Sequence, residues 1–481
     1  MWGLLISETW PLTCVHHGKL LPNNQKLSQR GNLPYLCFDS GVPKMNANRR
    51  KFETGRGGSA VTHVAKTSFD YLILAASAVF VGAVVFFASS ASAEDAFNPW
   101  EQQWVDPWNP SSEALIPDTP TSLSSVPTLG DAGFWPVLRA MSMYEQIQEW
   151  GGWKPIPRGE KIELGDRDDR VPLIRERLVA TGDLAISGGD PAVYDEHVYE
   201  GTRRFQSRHG LAPDGVIGPN TIDTMNVPVS KRIKQLAINL QRLNEVSESL
   251  GRRYVFVNIA GQEVEAVTDG RVDLRRRVIV GKEDRQTPEI TSEITFLAFN
   301  PYWHVPRSIA EKDLIPKARR NPAYFERLGI RVYRGGREVS ARSVNWYRTS
   351  ASDVRLRQDP SPRNSLGTVK IHFNNPYAVY LHDTPSKSLF GRTARTYSSG
   401  CVRVEDVHDL TAWLLSETEG WDRARVDGVV NDRNRRDVRL AESVPVYLLY
   451  LTAWVDDSGV VNFRDDVYDI DRRVRTSSLT R

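Results

Sequence analysis

The chain has 481 residues, which is too many for a single compact core, so we expect two or three domains with flanking tails. With 40% hydrophobic residues, 25% charged residues and a net charge of +3, the composition excludes disorder throughout and a strongly basic nucleic-acid binder. The three cysteines, Cys14, Cys37 and Cys401, form neither a zinc-ligand pattern nor an even disulfide framework.

An export signal is predicted near the N-terminus. Residues 71–88 form an apolar run without charge, and residues 91–93 form an A-x-A cleavage pattern just after it. Met45 precedes a basic cluster upstream of the run, so translation is predicted to begin there and residues 1–44 to be a mis-assigned extension. Residues 45–93 are then either a cleaved signal peptide or a signal anchor in the inner membrane. Either form predicts that the rest of the chain lies outside the cytoplasm.

A linker and a first helix are predicted next. Residues 94–136 are rich in Pro, Ser and Trp without a sustained period, which is typical of a linker. A helix is predicted from Val137 to Trp150, ended by the glycines that follow.

Residues 164–227 contain the signals of a small helical unit. Apolar residues at helical spacing predict two helices that end at Gly182 and Gly210. Asp214 and Gly215 form a turn before a third helix, residues 221–225. With Phe205 and Gln206 on the second helix, the stretch resembles the peptidoglycan-binding module, and this resemblance implies binding to the glycan. A three-helix bundle that binds no ligand is the alternative.

A longer helix is predicted from about Ser230 to Gly251. Residues 137–163 and 228–252 would together form a helical scaffold around the small unit. The helix presents an apolar stripe, which indicates that it packs against another element.

The second half of the chain changes to a period of two. Strand signals recur over residues 253–469, and the last of them form a hairpin that turns at residues 457–459. A mixed, charged segment at residues 306–364 interrupts this pattern and is interpreted as an insertion. Residues 470–481 are predicted to be a tail.

Cys401 lies in the stretch YSSGCVRVED and is a candidate nucleophile. A thiol attacks as the thiolate, so it needs a base or a positive field nearby. The candidates are His382, Arg403 and His408. His382 ends the strand signal YAVYLH, where alternation puts it on the same face as Tyr380. His408 lies on the polar side of a predicted helix and is interpreted as a surface histidine.

The residues around Cys401 are suited to acyl transfer. Small residues at Ser399 and Gly400 let a substrate carbonyl approach backbone N–H groups, which can stabilise an oxyanion. Arg403 suits a substrate carboxylate because its guanidinium is a planar fork. The alternative for Arg403 is a surface ion pair with Glu405 or Asp406.

The combination of these motifs resembles the L,D-transpeptidases. HDT at residues 382–384 and SSGCVR at residues 398–403 match the catalytic signature of that family. The resemblance extends to VGKEDRQTPEI at residues 280–290 and NPYWHVP at residues 300–306, and it covers residues 153–469. It is closest to the large Gram-negative cross-linking subgroup, which has an embedded peptidoglycan-binding module and an inserted capping subdomain.

The resemblance implies an α+β fold. It predicts a mainly-β catalytic domain with the capping subdomain inserted, a three-helix peptidoglycan-binding domain and a helical scaffold. It also implies that Cys401 is the nucleophile, that His382 is the general base, and that the backbone of Ser399, Gly400 and Cys401 forms the oxyanion hole. Many members have histidine at the position of Ser399, so this chain lacks that alternative base.

The family's reaction implies its partners. The acyl donor is a tetrapeptide stem that loses D-alanine, and the acceptor is the side-chain amine of diaminopimelate on another stem, which gives a 3-3 cross-link. The resemblance implies no metal or cofactor, no nucleic-acid partner and a periplasmic location.

Two other functions remain open from the sequence. A wall hydrolase, acting as a carboxypeptidase or endopeptidase, would use the same thiol and pass the acyl group to water. A non-catalytic wall-binding protein would not need Cys401 at all.

Tyr380 and Trp303 are candidate substrate-binding residues. The alternative for both is a position in the hydrophobic core.

Overall fold

The structure, a computed structural model, describes residues 125–185, 188–247 and 250–474. The predictions for residues 1–44, for the signal segment at 45–93 and for most of the linker lie outside these ranges. Within them, no helix is both long and apolar enough to cross a membrane.

Two helices of 19 residues each form the scaffold: α1 (Asp131–Glu149) and α5 (Val229–Ser247). They share one core with the outer face of the catalytic sheet. The predicted start of α1 at Val137 was wrong, because Pro136 is a residue of the helix rather than the end of the linker. The Phe134 N–H already bonds the Gly130 carbonyl at 2.9 Å, so the helix is established before the proline.

The small helical unit has the three predicted helices, α2 (Val171–Ala180), α3 (Glu196–Arg208) and α4 (Pro219–Met225). They enclose a separate apolar core that includes Phe205. Gln206 is buried and holds the turn before α4, since its Nε2 donates to the Val216 carbonyl at 2.9 Å and its Oε1 accepts from the Gly215 N–H at 2.8 Å. The glutamine therefore has a structural role inside the unit.

The catalytic half is a nine-stranded sheet in the order β11-β3-β12-β10-β9-β4-β13-β1-β2. Because β3 also pairs with β2, the sheet closes on itself. Two helices, α9 (Val407–Leu415) and α10 (Arg423–Asn431), pack against its apolar core. The nine strands are β1 (Arg253–Asn258), β2 (Glu263–Thr268), β3 (Arg271–Gly281), β4 (Ile290–Phe299), β9 (Val369–Phe373), β10 (Leu381–His382), β11 (Thr396–Ser398), β12 (Val402–Val404) and β13 (Arg436–Leu449).

A subdomain with its own core is inserted between β4 and β9. It has a four-stranded sheet in the order β5-β8-β6-β7. Its strands are β5 (Trp303–His304), β6 (Ile330–Arg334), β7 (Arg337–Val339) and β8 (Arg355–Gln358), and its helices are α6 (Arg307–Ile309), a π-helical turn (Ala310–Leu314), α7 (Ile315–Arg320) and α8 (Ala323–Arg327). Its core runs from Trp303 to Leu366, slightly beyond the predicted residues 306–364, because β5 belongs to this sheet and not to the main one.

The C-terminal region folds back onto the scaffold. The predicted hairpin is present as β14 (Ala453–Val455) and β15 (Val461–Phe463). The predicted tail was wrong at its start, since a short helix, α11 (Ile470–Arg473), follows the hairpin. Its buried Asp471 pairs with Arg242 of α5 at 2.7 Å, and this contact anchors the segment.

Candidate active site

Strand pairing brings five polar side chains onto one face of the sheet. His382 of β10 pairs with Arg403 of the parallel strand β12 and with Lys370 of the antiparallel strand β9. Paired residues share a face, and so do residues two positions apart in an extended chain. Tyr380 and Cys401 therefore lie beside His382 and Arg403.

This face forms the floor of a cavity of about 170 Å³. The sheet contributes Tyr380, His382, Ser399, Cys401 and Arg403 to its lining. The inserted subdomain contributes the other wall, consisting of Trp303, Pro306, Ser308 and Ile309. The cavity thus gathers the residues predicted from the sequence, with the exception of Gly400.

His382 is held as a neutral base. Its Nδ1 lies 2.5 Å from the Asp383 carbonyl oxygen, which can only accept, so Nδ1 carries the proton and Nε2 is left as an acceptor. Burial, together with the positive charge of Arg403, lowers the pKa of His382 to about 3. The ring is therefore uncharged at neutral pH, which leaves Nε2 as a hydrogen-bond acceptor.

The Asp383 side chain fixes the segment that carries His382. One carboxylate oxygen accepts from the Thr368 N–H at 2.8 Å and from its hydroxyl at 2.7 Å, and the other accepts from the Lys387 ammonium. Burial disfavours the charged carboxylate, but Lys387 and Thr368 outweigh it and lower the pKa of Asp383. The His408 Nε2 lies 2.7 Å from the Thr368 hydroxyl, so the interpretation of His408 as a surface residue was wrong. It is half-buried and supports this network.

Cys401 is the only cysteine among the residues that the structure describes, and its thiol is free. Burial raises its pKa, whereas the backbone and hydroxyl of Tyr380 and the charges of Lys370 and Arg403 act in the opposite direction. The net pKa stays above its ordinary value, so the resting thiol keeps its proton at neutral pH. Attack on a carbonyl therefore requires a base that accepts this proton.

Tyr380 and Trp303 are close to the sulfur. The Cys401 thiol and the Trp303 indole both act on the pKa of the Tyr380 hydroxyl, in opposite directions. Burial, more than these contacts, raises the pKa of Tyr380 well above its ordinary value, so its hydroxyl stays a donor. The Lys370 ammonium lies 4.1 Å from the centre of the Tyr380 ring. Sequence reasoning missed Lys370, although its alternation with Ile371 placed it on a polar face.

Arg403 makes no ion pair with a carboxylate in the described part of the chain. The alternative pairing with Glu405 or Asp406 was wrong, because Glu405 binds Arg277 at 2.6 Å and Asp406 lies 3.8 Å from Arg276. Burial lowers the pKa of Arg403 to about 10, which leaves the guanidinium charged at neutral pH. A charged and unpaired guanidinium beside the thiol is suited to bind an anionic group of a substrate.

The loop before Cys401 is held in a conformation that needs glycine. Gly400 has φ +111°, and its N–H donates to the Ser398 hydroxyl at 3.1 Å. That hydroxyl donates in turn to the Cys401 carbonyl at 2.5 Å. The Gly400 N–H is thus already engaged, and the predicted role of Gly400 as an oxyanion donor needs correction. The N–H groups of Ser399 and Cys401 have no hydrogen-bond partner within the described ranges, so they are the remaining candidates.

Two family models match the chain. Residues 252–430 match the model described as "L,D-transpeptidase catalytic domain". The chain therefore carries an L,D-transpeptidase catalytic domain. Residues 167–225, which include α2 to α4, match the model described as "Putative peptidoglycan binding domain". Both resemblances noted in the sequence are thereby confirmed, as is the α+β fold with a mainly-β catalytic part.

A curated protein of Haemophilus influenzae, named "Putative L,D-transpeptidase", is 33% identical over 260 residues. The alignment covers 53% of this chain and 52% of the relative, so the match spans about half the length of the relative. Similar solved structures include L,D-transpeptidases of Xylanimonas cellulosilytica and Stackebrandtia nassauensis. The first is 17% identical and covers 61% of this chain and 99% of its own, with a TM-score of 0.21. The second is 13% identical and covers 62% and 97%, with a TM-score of 0.23.

Proposed function

We propose that this protein is an L,D-transpeptidase that forms 3-3 cross-links in peptidoglycan through a thioester on Cys401. The observation that carries the proposal is the meeting of a free thiol, a neutral imidazole and an unpaired guanidinium in one cavity of an L,D-transpeptidase domain. The catalytic domain assigns the reaction class, and the cavity supplies the groups that this class needs.

In the proposed first step, the Cys401 sulfur attacks the carbonyl that joins diaminopimelate to the terminal D-alanine of a tetrapeptide stem. The thiol proton passes to Nε2 of His382, and the N–H groups of Ser399 and Cys401 donate to the oxyanion. When the tetrahedral intermediate collapses, the C–N bond breaks and the imidazolium returns its proton to the leaving amine. D-Alanine departs, and the stem remains as a thioester.

In the second step, the side-chain amine of diaminopimelate on another stem attacks the thioester. The amine loses its proton to His382 and the sulfur leaves, which regenerates the enzyme and forms the 3-3 bond. Overall, one amide bond is exchanged for another, so the transfer needs no separate source of energy. The hydroxyl of Tyr380 stabilises the departing sulfur, because its interaction with the sulfur favours the thiolate.

The proposed substrate contacts follow from the charges in the cavity. Arg403 binds a carboxylate of the stem peptide, and Trp303 walls the cleft from the inserted subdomain. The helical module, residues 167–225, binds peptidoglycan and keeps the enzyme on its substrate. Because peptidoglycan lies outside the cytoplasm, we propose a periplasmic location, reached through the signal at residues 45–93, as a cleaved signal peptide or an inner-membrane anchor.

The test is incubation of the purified protein with disaccharide-tetrapeptide and mass spectrometry of the products. The proposal predicts dimers that have lost one D-alanine, with none formed by Cys401→Ala. If tripeptides form instead of dimers, the protein is a hydrolase. If wild type and Cys401→Ala both leave the substrate unchanged, a wall-binding function without catalysis replaces the proposal.

A further inference from the structure

Arg285 contacts both the inserted subdomain and the loop that carries Cys401. It ends a 3-10 turn, Glu283–Arg285, that follows β3. Its Nη1 and Nη2 donate to the two Asp313 carboxylate oxygens at 2.5 and 2.9 Å. The same Nη1 donates to the Ser399 hydroxyl at 3.0 Å. One guanidinium therefore joins the subdomain to the catalytic loop.

This contact differs from the ion pairs on the protein surface. The side chains of Arg285 and Asp313 are each only 15% exposed, and the pair is bidentate. The neighbouring Asp284 is 67% exposed and lies farther away, 3.7 Å from Arg285 Nε. A partly buried bidentate pair is screened less by solvent than an exposed one, so Asp313 is the dominant partner.

The rest of the turn also supports the catalytic loop. The Thr287 hydroxyl donates to the Gly400 carbonyl at 2.9 Å and accepts from the Gly281 N–H at 2.9 Å. A Cβ added to Gly400 would lie 3.4 Å from the Gln286 carbonyl oxygen, so the two segments are closely packed. Movement of residues 285–287 would therefore move Ser399 and Gly400.

Asp313 lies on the same helical segment as part of the cavity wall. The π-helical turn Ala310–Leu314 continues directly from Arg307–Ile309, and Ser308 and Ile309 line the cavity. A molecule in the cavity thus touches the segment whose next turn holds Arg285. The cavity wall is therefore connected to the catalytic loop through Asp313 and Arg285.

We propose that Arg285 is a positioning residue that sets the Ser399–Cys401 loop for acyl transfer only while Asp313 of the inserted subdomain holds its guanidinium. Docking of the subdomain fixes Arg285, and Arg285 fixes Ser399 through its hydroxyl. The adjacent N–H groups are then aimed at the oxyanion. This inference rests on the proposed acyl-transfer function, since it assigns the loop its role.

The experiment compares Asp313→Asn and Arg285→Lys with the wild-type protein. Glu326→Gln is the control, because Glu326 pairs with Arg342 in the same subdomain, through Nε alone, and both side chains are exposed. Four quantities are measured: the kcat of D-alanine release, its KM, the rate at which iodoacetamide alkylates Cys401, and hydrogen exchange of residues 398–404.

We expect Asp313→Asn to lower kcat roughly ten- to a hundredfold with a smaller change in KM, because a displaced catalytic loop costs about this much. Arg285→Lys keeps the charge but loses the planar fork, so its kcat should lie between that of the wild-type protein and that of Asp313→Asn. Exchange of the Gly400 N–H, which bonds the Ser398 hydroxyl, should rise in both variants. Alkylation needs no oxyanion hole, so its rate should stay within about twofold of wild type.

A kcat in Asp313→Asn equal to that of Glu326→Gln would overturn the inference. So would a parallel loss of alkylation and kcat, since that result indicates general damage to the site. If the wild-type protein releases no D-alanine, the proposed function fails by itself. Exchange still tests the connection in that case, because unchanged protection of the Gly400 N–H in Asp313→Asn would refute it.

Discussion

The reactivity of Cys401 depends on a balance between burial and nearby positive charge. Burial disfavours the thiolate, whereas Tyr380, Lys370 and Arg403 favour it. Lys370 and Arg403 lie on the two strands paired with β10, and neither forms an ion pair with a carboxylate in the described ranges. The charges of both act on the Cys401 sulfur, although the charge of Asp437 also acts on Lys370.

Substitution of Lys370 by methionine should raise the pKa of the Cys401 thiol further. Loss of the positive charge removes a contribution that favours the thiolate, so the pH of half-maximal alkylation by iodoacetamide should rise. The measurement is the alkylation rate of intact protein between pH 6 and 11. Lys161→Met, at an exposed position before α2, serves as the control. An unchanged or lower midpoint would show that Lys370 does not act on the thiol.

The end of α3 is an element whose packing depends on pH. His209 follows α3 and stacks between Phe205 at 3.9 Å and Phe463 of β15 at 5.5 Å, measured between ring centres. Its Nδ1 donates to the Phe205 carbonyl at 2.7 Å, and its Nε2 is buried without a hydrogen-bond partner. Burial, with the charges of Arg208 and Arg232, lowers the pKa of His209 well below its ordinary value. The helical module thus meets the C-terminal hairpin through a neutral histidine.

The variant His209→Phe should make stability less sensitive to acid. The unfolded state binds a proton near pH 6.5 and the folded state does not, so His209 costs stability as the pH falls below 6.5. Its contribution to the slope is at most about 1.4 kcal/mol per pH unit. Urea unfolding between pH 7 and 4.5 measures this slope. We expect a flatter profile in His209→Phe and an unchanged one in the exposed control His197→Phe; equal slopes in all three proteins would contradict the interpretation.

At the scale of the whole molecule, periodicity predicted most of the elements, and the errors lie where tertiary contacts decide. Pro136 resembled the end of a linker but is part of α1. Asp471 resembled part of a polar tail but is buried by Arg242, more than 200 positions away. Trp303 continued the β pattern of the main domain, yet it belongs to the inserted sheet. None of these partners is visible from local sequence.

Only part of the candidate site was predicted from the sequence, because the other part depends on residues that are distant along the chain. Alternation within one strand was enough to place Tyr380 beside His382, and the local motif located Cys401. Lys370 required the pairing of β9 with β10, and Arg285 required contacts across 28 and 114 positions. Polar residues that act through such distant contacts have no signal in a single sequence.

Cys401 is proposed to carry the stem peptide as a thioester, and the decisive experiment is to trap that intermediate. The protein would be mixed with a tetrapeptide stem, quenched in acid within the first turnover, digested and analysed by mass spectrometry. We expect an adduct of the stem minus D-alanine on the peptide that contains Cys401, and no adduct in Cys401→Ala. Continued release of D-alanine by Cys401→Ala, or an adduct on another residue, would contradict it.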